Sequence, residues 1–116
     1  MKRIIIAEDH QSLIDGINLL FEHDPNFKIV GMANDGEKLI ELVEEKQPDV
    51  VLTDIRMPKI DGIAATRMIK KQFPEIKIIA FTMFDQQEAV SQMLSAGING
   101  YILKNSGLQE VKKAIE

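Results

Sequence analysis

Five short apolar runs, each followed by a longer stretch with helical spacing, constrain this chain more than any other feature. The runs are Ile4-Ile5-Ile6-Ala7, Ile29-Val30-Gly31-Met32, Val50-Val51-Leu52, Ile76 to Phe81 with Lys77 interrupting, and Tyr101-Ile102-Leu103. They are rich in β-branched residues and bounded by polar ones, the pattern of strands buried on both faces. Between them Leu13, Ile14, Ile17, Leu20 and Phe21 recur at helical intervals. So do Leu39, Ile40 and Val43, then Ala89, Val90, Met93 and Leu94, then Leu108, Val111 and Ile115. Each set marks the apolar face of an amphipathic helix. Ile63 to Ile69 follows the period less cleanly, yet Asp61-Gly62 ahead of it reads as a helix entry. Gly97 falls where a helix would close in a left-handed cap. Ser106 with Gln109 three residues on is a capping box for the last helix.

Strands alternating with helices in this way predict a parallel sheet with right-handed crossovers and helices on both faces. The 116 residues suffice for one such domain. At 45% hydrophobic and 28% charged, the chain carries enough apolar material for a core and need not be disordered. It has no cysteine, which excludes disulfides, thiolate zinc sites and thiol catalysis. No apolar run approaches the ~18 residues of a membrane span. The basic start Met1-Lys2-Arg3 runs into Glu8-Asp9 too early for a signal peptide, so a cytoplasmic location and no membrane contact are expected. Net charge is −4, with −6 on residues 1–58 and +2 on residues 59–116. No basic stripe is present, so direct DNA binding by this chain is not expected.

In parallel sheets of this kind function collects outside the carboxyl ends of the strands. There the chain offers Glu8 and Asp9 after the first run, Asp54 after the third, Thr82 after the fourth and Lys104 after the fifth. Singly, Asp and Thr are ordinary helix caps and Lys an ordinary surface residue. Together the carboxylates would repel one another unless a cation neutralised them. Oxygen donors in a small open site suit Mg²⁺ better than Ca²⁺. A carboxylate nucleophile, Mg²⁺, an ammonium and a hydroxyl are the parts needed for phosphoryl transfer.

These segments carry a resemblance. Ile-Ala-Glu8-Asp9-His, Leu-Thr-Asp54-Ile-Arg-Met-Pro58-Lys-Ile-Asp61-Gly62, Ala-Phe-Thr82 and Gly100-Tyr101-Ile-Leu-Lys104 resemble a bacterial two-component response-regulator receiver domain over essentially the whole chain. The resemblance implies a flavodoxin-like (CheY-like), doubly wound α/β fold with strand order 2-1-3-4-5 and five helices. It implies that Asp54 accepts a phosphoryl group from a sensor histidine kinase. Asp9, Asp54 and the Arg56 main-chain carbonyl would bind Mg²⁺, with Glu8 acting through a metal-bound water. Lys104 would pair with phosphoryl oxygens, Thr82 would hydrogen-bond one, and Tyr101 would turn inward. The outcome would be a changed surface on the last two helices and the last strand, which Gln92 and Lys113 help to form, together with a phosphorylation-dependent homodimer. Such a domain promotes its own phosphotransfer and dephosphorylation without turning over a separate substrate. Pro58 would stiffen the loop beside the acceptor.

Two departures stand out. Many receivers place a cis proline after the lysine, where this chain has Asn105, and a cis bond before a non-proline residue costs ~3 kcal/mol. Met83 and Phe84 follow Thr82 where many receivers have a small residue. Both features, with Lys104-Asn105-Ser106, resemble the NarL/FixJ subfamily, whose receivers precede a LuxR-type helix-turn-helix. Residues 1–116 are read as the receiver, with that output domain outside this sequence. Competing readings meet specific obstacles. A flavodoxin-like electron carrier needs a Ser/Thr/Gly-rich phosphate loop where this chain has Glu8-Asp9-His10-Gln11. A phosphatase of the haloacid-dehalogenase type needs its Asp-x-Asp after the first strand. A dehydrogenase needs Gly-x-Gly-x-x-Gly. A degenerate receiver serving as a docking module would lack one of the chemical positions, and here all are filled.

Overall fold

The apolar runs become strands and the periodic stretches become helices in strict alternation. The order is β1 (Lys2–Ala7), α1 (Gln11–Phe21), β2 (Phe27–Ala33), α2 (Gly36–Lys46), β3 (Val50–Asp54), α3 (Gly62–Gln72), β4 (Lys77–Thr82), α4 (Gln87–Ala96), β5 (Gly100–Leu103) and α5 (Gln109–Ile115). The structure, a computed structural model, describes residues 1–57, 59–82, 87–103 and 109–115, without the side chains of Thr82, Gln87, Gln109 and Lys112. Readings made on Pro58, Met83, Phe84, Lys104, Asn105, Ser106 and Leu108 therefore lie outside the described residues. The strands form one parallel sheet in the order β2-β1-β3-β4-β5.

Alternation along each strand sends side chains to two separate cores. Ile5, Ala7, Val51, Ile78 and Ala80 pack with Leu39, Val43, Ala65, Ile69 and Met93 from α2, α3 and α4. Ile4, Ile6, Val50, Leu52, Ile79, Phe81 and Ile102 pack with Ile17, Phe21, Val111 and Ile115 from α1 and α5. Burial on both faces holds for β3 throughout and for most of β1, but not for β2 and β5. These two strands lie at the edges of the sheet. On β5, Tyr101 is 52% exposed. Leu94, assigned by its spacing to the apolar face of α4, is also exposed, while Met93 and Ala96 turn inward.

The expected helix ends hold where they are described. Asp61 caps α3, its Oδ1 accepting from Ala64 N at 2.9 Å. Asp35 caps α2 in the same manner through Lys38 N. Gly97 closes α4 with φ 106°, its N–H donating to Met93 and Leu94 carbonyls while Ile98 N reaches Met93 O. This is the left-handed close expected there.

At the end of the sheet where strands begin, polar side chains reach the backbone. Lys2 Nζ donates to Ile115 O at 2.6 Å, and Asp49 Oδ2 accepts from Arg3 N at 2.8 Å. Asn99 Oδ1 accepts from both Ile78 N (2.9 Å) and Lys70 Nζ (2.8 Å), and Lys70 Nζ also donates to Ile76 O. Among the described residues, no helix is long and apolar enough to cross a membrane.

Candidate functional site

The strand register brings the acidic residues together. β1 pairs with β3 as Ile4 with Val50, Ile6 with Leu52 and Ala7 with Thr53. One step further along each strand come Glu8 and Asp54, the polar continuation of two adjacent apolar rows. Neighbouring strands lie about 4.8 Å apart, so the chain has to bring these two carboxylates close. Glu8 and Asp54 are both buried, whereas Asp9 is partly exposed. One oxygen from each of Glu8, Asp9 and Asp54, with a nitrogen of His10, all lie within 4.8 Å of one another.

The acceptor candidate is held from its own backbone. Ile55 N donates to Asp54 Oδ1 at 2.7 Å, which fixes the carboxylate plane. Thr53 Oγ1 donates to Asp54 O at 2.9 Å. Gly62 N donates to Ile55 O at 2.7 Å, bringing the start of α3 against the end of β3. A Cβ at Gly62 would lie 2.2 Å from Asp54 O, so only glycine permits this approach. The start of α2 braces the same loop from the side. A Cβ on Gly36 would lie 1.8 Å from Ile60 O, and Asp35 Oδ2 lies 3.8 Å from Lys59 Nζ. Lys59 takes a left-handed φ of 67°, unusual for a residue with a side chain.

The other expected site residues are placed as follows. Arg56 stands two residues beyond Asp54 with its side chain exposed. Thr82 ends β4 and pairs with Leu103, one register step beyond the pairing of Asp54 with Phe81. Its side chain and all of Lys104, the next residue after β5, lie outside the described residues. Tyr101 points outward. Sequence reasoning gave no role to His10. Its Nδ1 lies 2.8 Å from Glu8 Oε1 and 3.2 Å from Asp9 Oδ1. The one available signal was its position directly after the acidic pair, which also reads as a plain N-cap.

The donor set fits a hard divalent cation: carboxylate oxygens dominate, two from buried residues, and the cluster opens to solvent at Asp9.

The family profile described as "Response regulator receiver domain" matches residues 4–116. The transcriptional regulatory protein DegU of Brevibacillus brevis is 35% identical over 114 residues, covering 98% of this chain and 48% of that protein. A two-component response regulator of the LuxR family from Aurantimonas sp. SI85-9A1 superposes with a TM-score of 0.91 at 32% identity, covering 99% of this chain and 82% of that one. The isolated receiver domain of RcsB from Salmonella enterica serovar Typhimurium, solved with the phosphomimetic BeF3-, superposes with a TM-score of 0.88 at 32% identity, covering 98% and 85%. The chain belongs to the response-regulator receiver family, in the branch these LuxR-family regulators represent. It spans about half the length of the curated relatives it matches.

Proposed function

We propose that this receiver is a phosphorylation-controlled switch in which Asp54 is the phosphoacceptor. The observation that carries the reading is the meeting of Glu8, Asp9 and Asp54 at the carboxyl ends of adjacent parallel strands. The Asp54 oxygen not held by Ile55 N attacks phosphorus of a kinase phosphohistidine. An O–P bond forms as the N–P bond breaks, and the imidazole leaves with the electron pair and takes a proton. Asp9, Asp54 and the Arg56 carbonyl would hold Mg²⁺, with Glu8 acting through its water shell. Bound there, Mg²⁺ offsets charge on the carboxylates and on the phosphoryl oxygens. Lys104 and Thr82 are assigned to the phosphoryl oxygens and Tyr101 to the surface that responds. The domain is a signalling module that promotes its own phosphotransfer and dephosphorylation rather than a turnover enzyme.

In the whole protein, the receiver at residues 1–116 would be followed by a helix-turn-helix domain that binds DNA, placing the protein in the cytoplasm as a regulator of transcription. Phosphorylation would favour a homodimer. The experiment is incubation with acetyl phosphate and Mg²⁺, reductive trapping of the adduct and mapping by mass spectrometry. Label is expected on Asp54 alone and absent from Asp54→Asn. Label elsewhere, or undiminished label in the variant, refutes the assignment.

A further inference from the structure

We propose that Asn99-Gly100 is a self-modifying site, at which Asn99 loses its side-chain amide as ammonia through a succinimide closed by the Gly100 nitrogen. Asn99 is the one asparagine of this chain followed by glycine, and asparagine is among the chemically labile residues of proteins. The fold adds a placed carbonyl. Asn99 Oδ1 accepts from Ile78 N at 2.9 Å and from Lys70 Nζ at 2.8 Å. Two donors fixed on one carbonyl oxygen stabilise the negative charge that develops there when its carbon is attacked. Lys70 is itself held in position, its Nζ donating to Ile76 O at 2.7 Å and its stem lying beside Gly97.

Among the described residues Asn99 Nδ2 makes no hydrogen bond, and the residue is exposed, so ammonia departs directly into water. Gly100 begins β5, a four-residue strand at the edge of the sheet. Fraying of that single end residue frees its N–H at small cost, while the two bonds to Oδ1 keep the Asn99 side chain in place. The fold itself does not demand glycine at this position: a Cβ would meet nothing within 4 Å, and the φ is not left-handed. What glycine supplies is an unhindered, conformationally free nitrogen. That nitrogen bonds to Asn99 Cγ as the Cγ–Nδ2 bond breaks, and the Gly100 amide proton passes through water to the leaving nitrogen. Water then opens the ring. Opening at Cγ leaves aspartate, with a new carboxylate beside Lys70. Opening at the main-chain carbonyl leaves isoaspartate, which adds a methylene to the main chain just before Gly100 pairs with Ile79 and Tyr101 with Ala80. The strand that carries Tyr101 is then shifted at its start.

The test incubates the 116-residue chain at neutral pH, folded and in guanidinium chloride, and follows every asparagine by peptide mapping with mass spectrometry. Asn99 is expected to convert in the folded chain at least as fast as in denaturant, and well ahead of Asn18, Asn26, Asn34 and Asn105. Removing one donor from a forming oxyanion ordinarily costs ~10²–10³ in rate, so Lys70→Met should slow conversion of the folded chain by at least about tenfold. In denaturant the same substitution should change nothing, and Lys70→Arg, which keeps a donor, should restore most of the folded rate. Gly100→Ala, for which there is room, should slow the reaction severalfold in both conditions. Slower conversion in the folded chain than in denaturant would make Asn99 a protected structural pin and overturn the proposal. So would an unchanged or faster rate in folded Lys70→Met.

Discussion

Where the strands begin, polar side chains meet backbone partners; where the strands finish, carboxylates meet one another. Lys2, Lys70, Asp49 and Asn99 each satisfy a main-chain donor or acceptor that a strand or helix terminus would otherwise expose. Glu8 and Asp9 from the β1 exit and Asp54 from the β3 exit are drawn into one small volume. The first arrangement lowers the free energy of the fold, because each bond replaces one lost to water. The second raises it unless a cation is present. One end of the sheet thus serves stability and the other, on the function proposed above, chemistry, although both arise from the same rule that strand ends are polar.

The largest effect should come from breaking the stabilising end. Asn99→Ala removes an oxygen shared by Ile78 N and Lys70 Nζ; Lys70 keeps Ile76 O, and leaving the Ile78 N–H without its partner should cost about 2 kcal/mol. Urea unfolding measures it, and a loss below about 0.5 kcal/mol would show that this end is not stapled. A smaller effect of opposite kind is expected at the acidic end. Asp54→Asn keeps an oxygen for Ile55 N while removing one repelling charge, so in metal-free buffer it should melt no lower than the wild type. Mg²⁺ at ten times its Kd should stabilise the wild type by about 1.4 kcal/mol and leave Asp54→Asn nearly unmoved. Thermal melts with and without the ion read both.

The smallest effect concerns Lys70. Burial, only partly offset by the charge of Glu75, lowers its pKa from the ordinary 10.5. Between the lowered value and 10.5 the unfolded chain holds a proton that the folded chain has shed. Stability therefore rises with pH across that window, and below it the cost of burying the charge is present in full. Lys70→Met should flatten this alkaline rise in a series of denaturant melts. An unchanged slope would assign the rise to other groups.

The alternation of Ile4-Ile5-Ile6, Val50-Val51-Leu52 and their neighbours with helical stretches was legible from residue periods alone, because burial is what sets those periods. That β2 and β5 would be edges was not: an apolar run reads alike in the middle or at the side of a sheet, and strand order came only with the family resemblance. Leu94 misled because it adjoins Met93 in the helical repeat, and a step of about 100° around the helix axis carries it into solvent. At the site, Glu8, Asp9 and Asp54 could be named from strand exits, since parallel register forces those exits together. The contact of His10 with Glu8 and Asp9 could not, because it depends on a ring orientation that no spacing encodes.

The close seating of Gly36 on Ile60 has a consequence for how such a chain can vary in evolution. Turns between elements ordinarily absorb insertions at little cost. Here the turn between β2 and α2 delivers a helix start that abuts the loop leading away from Asp54, with Asp35 facing Lys59 across the contact. An added residue in positions 34–36 would push Ile60 and disturb the loop that follows Asp54. The length of a distant turn is therefore under the same constraint as the acidic residues, and homologues free to change their surface should keep it unaltered.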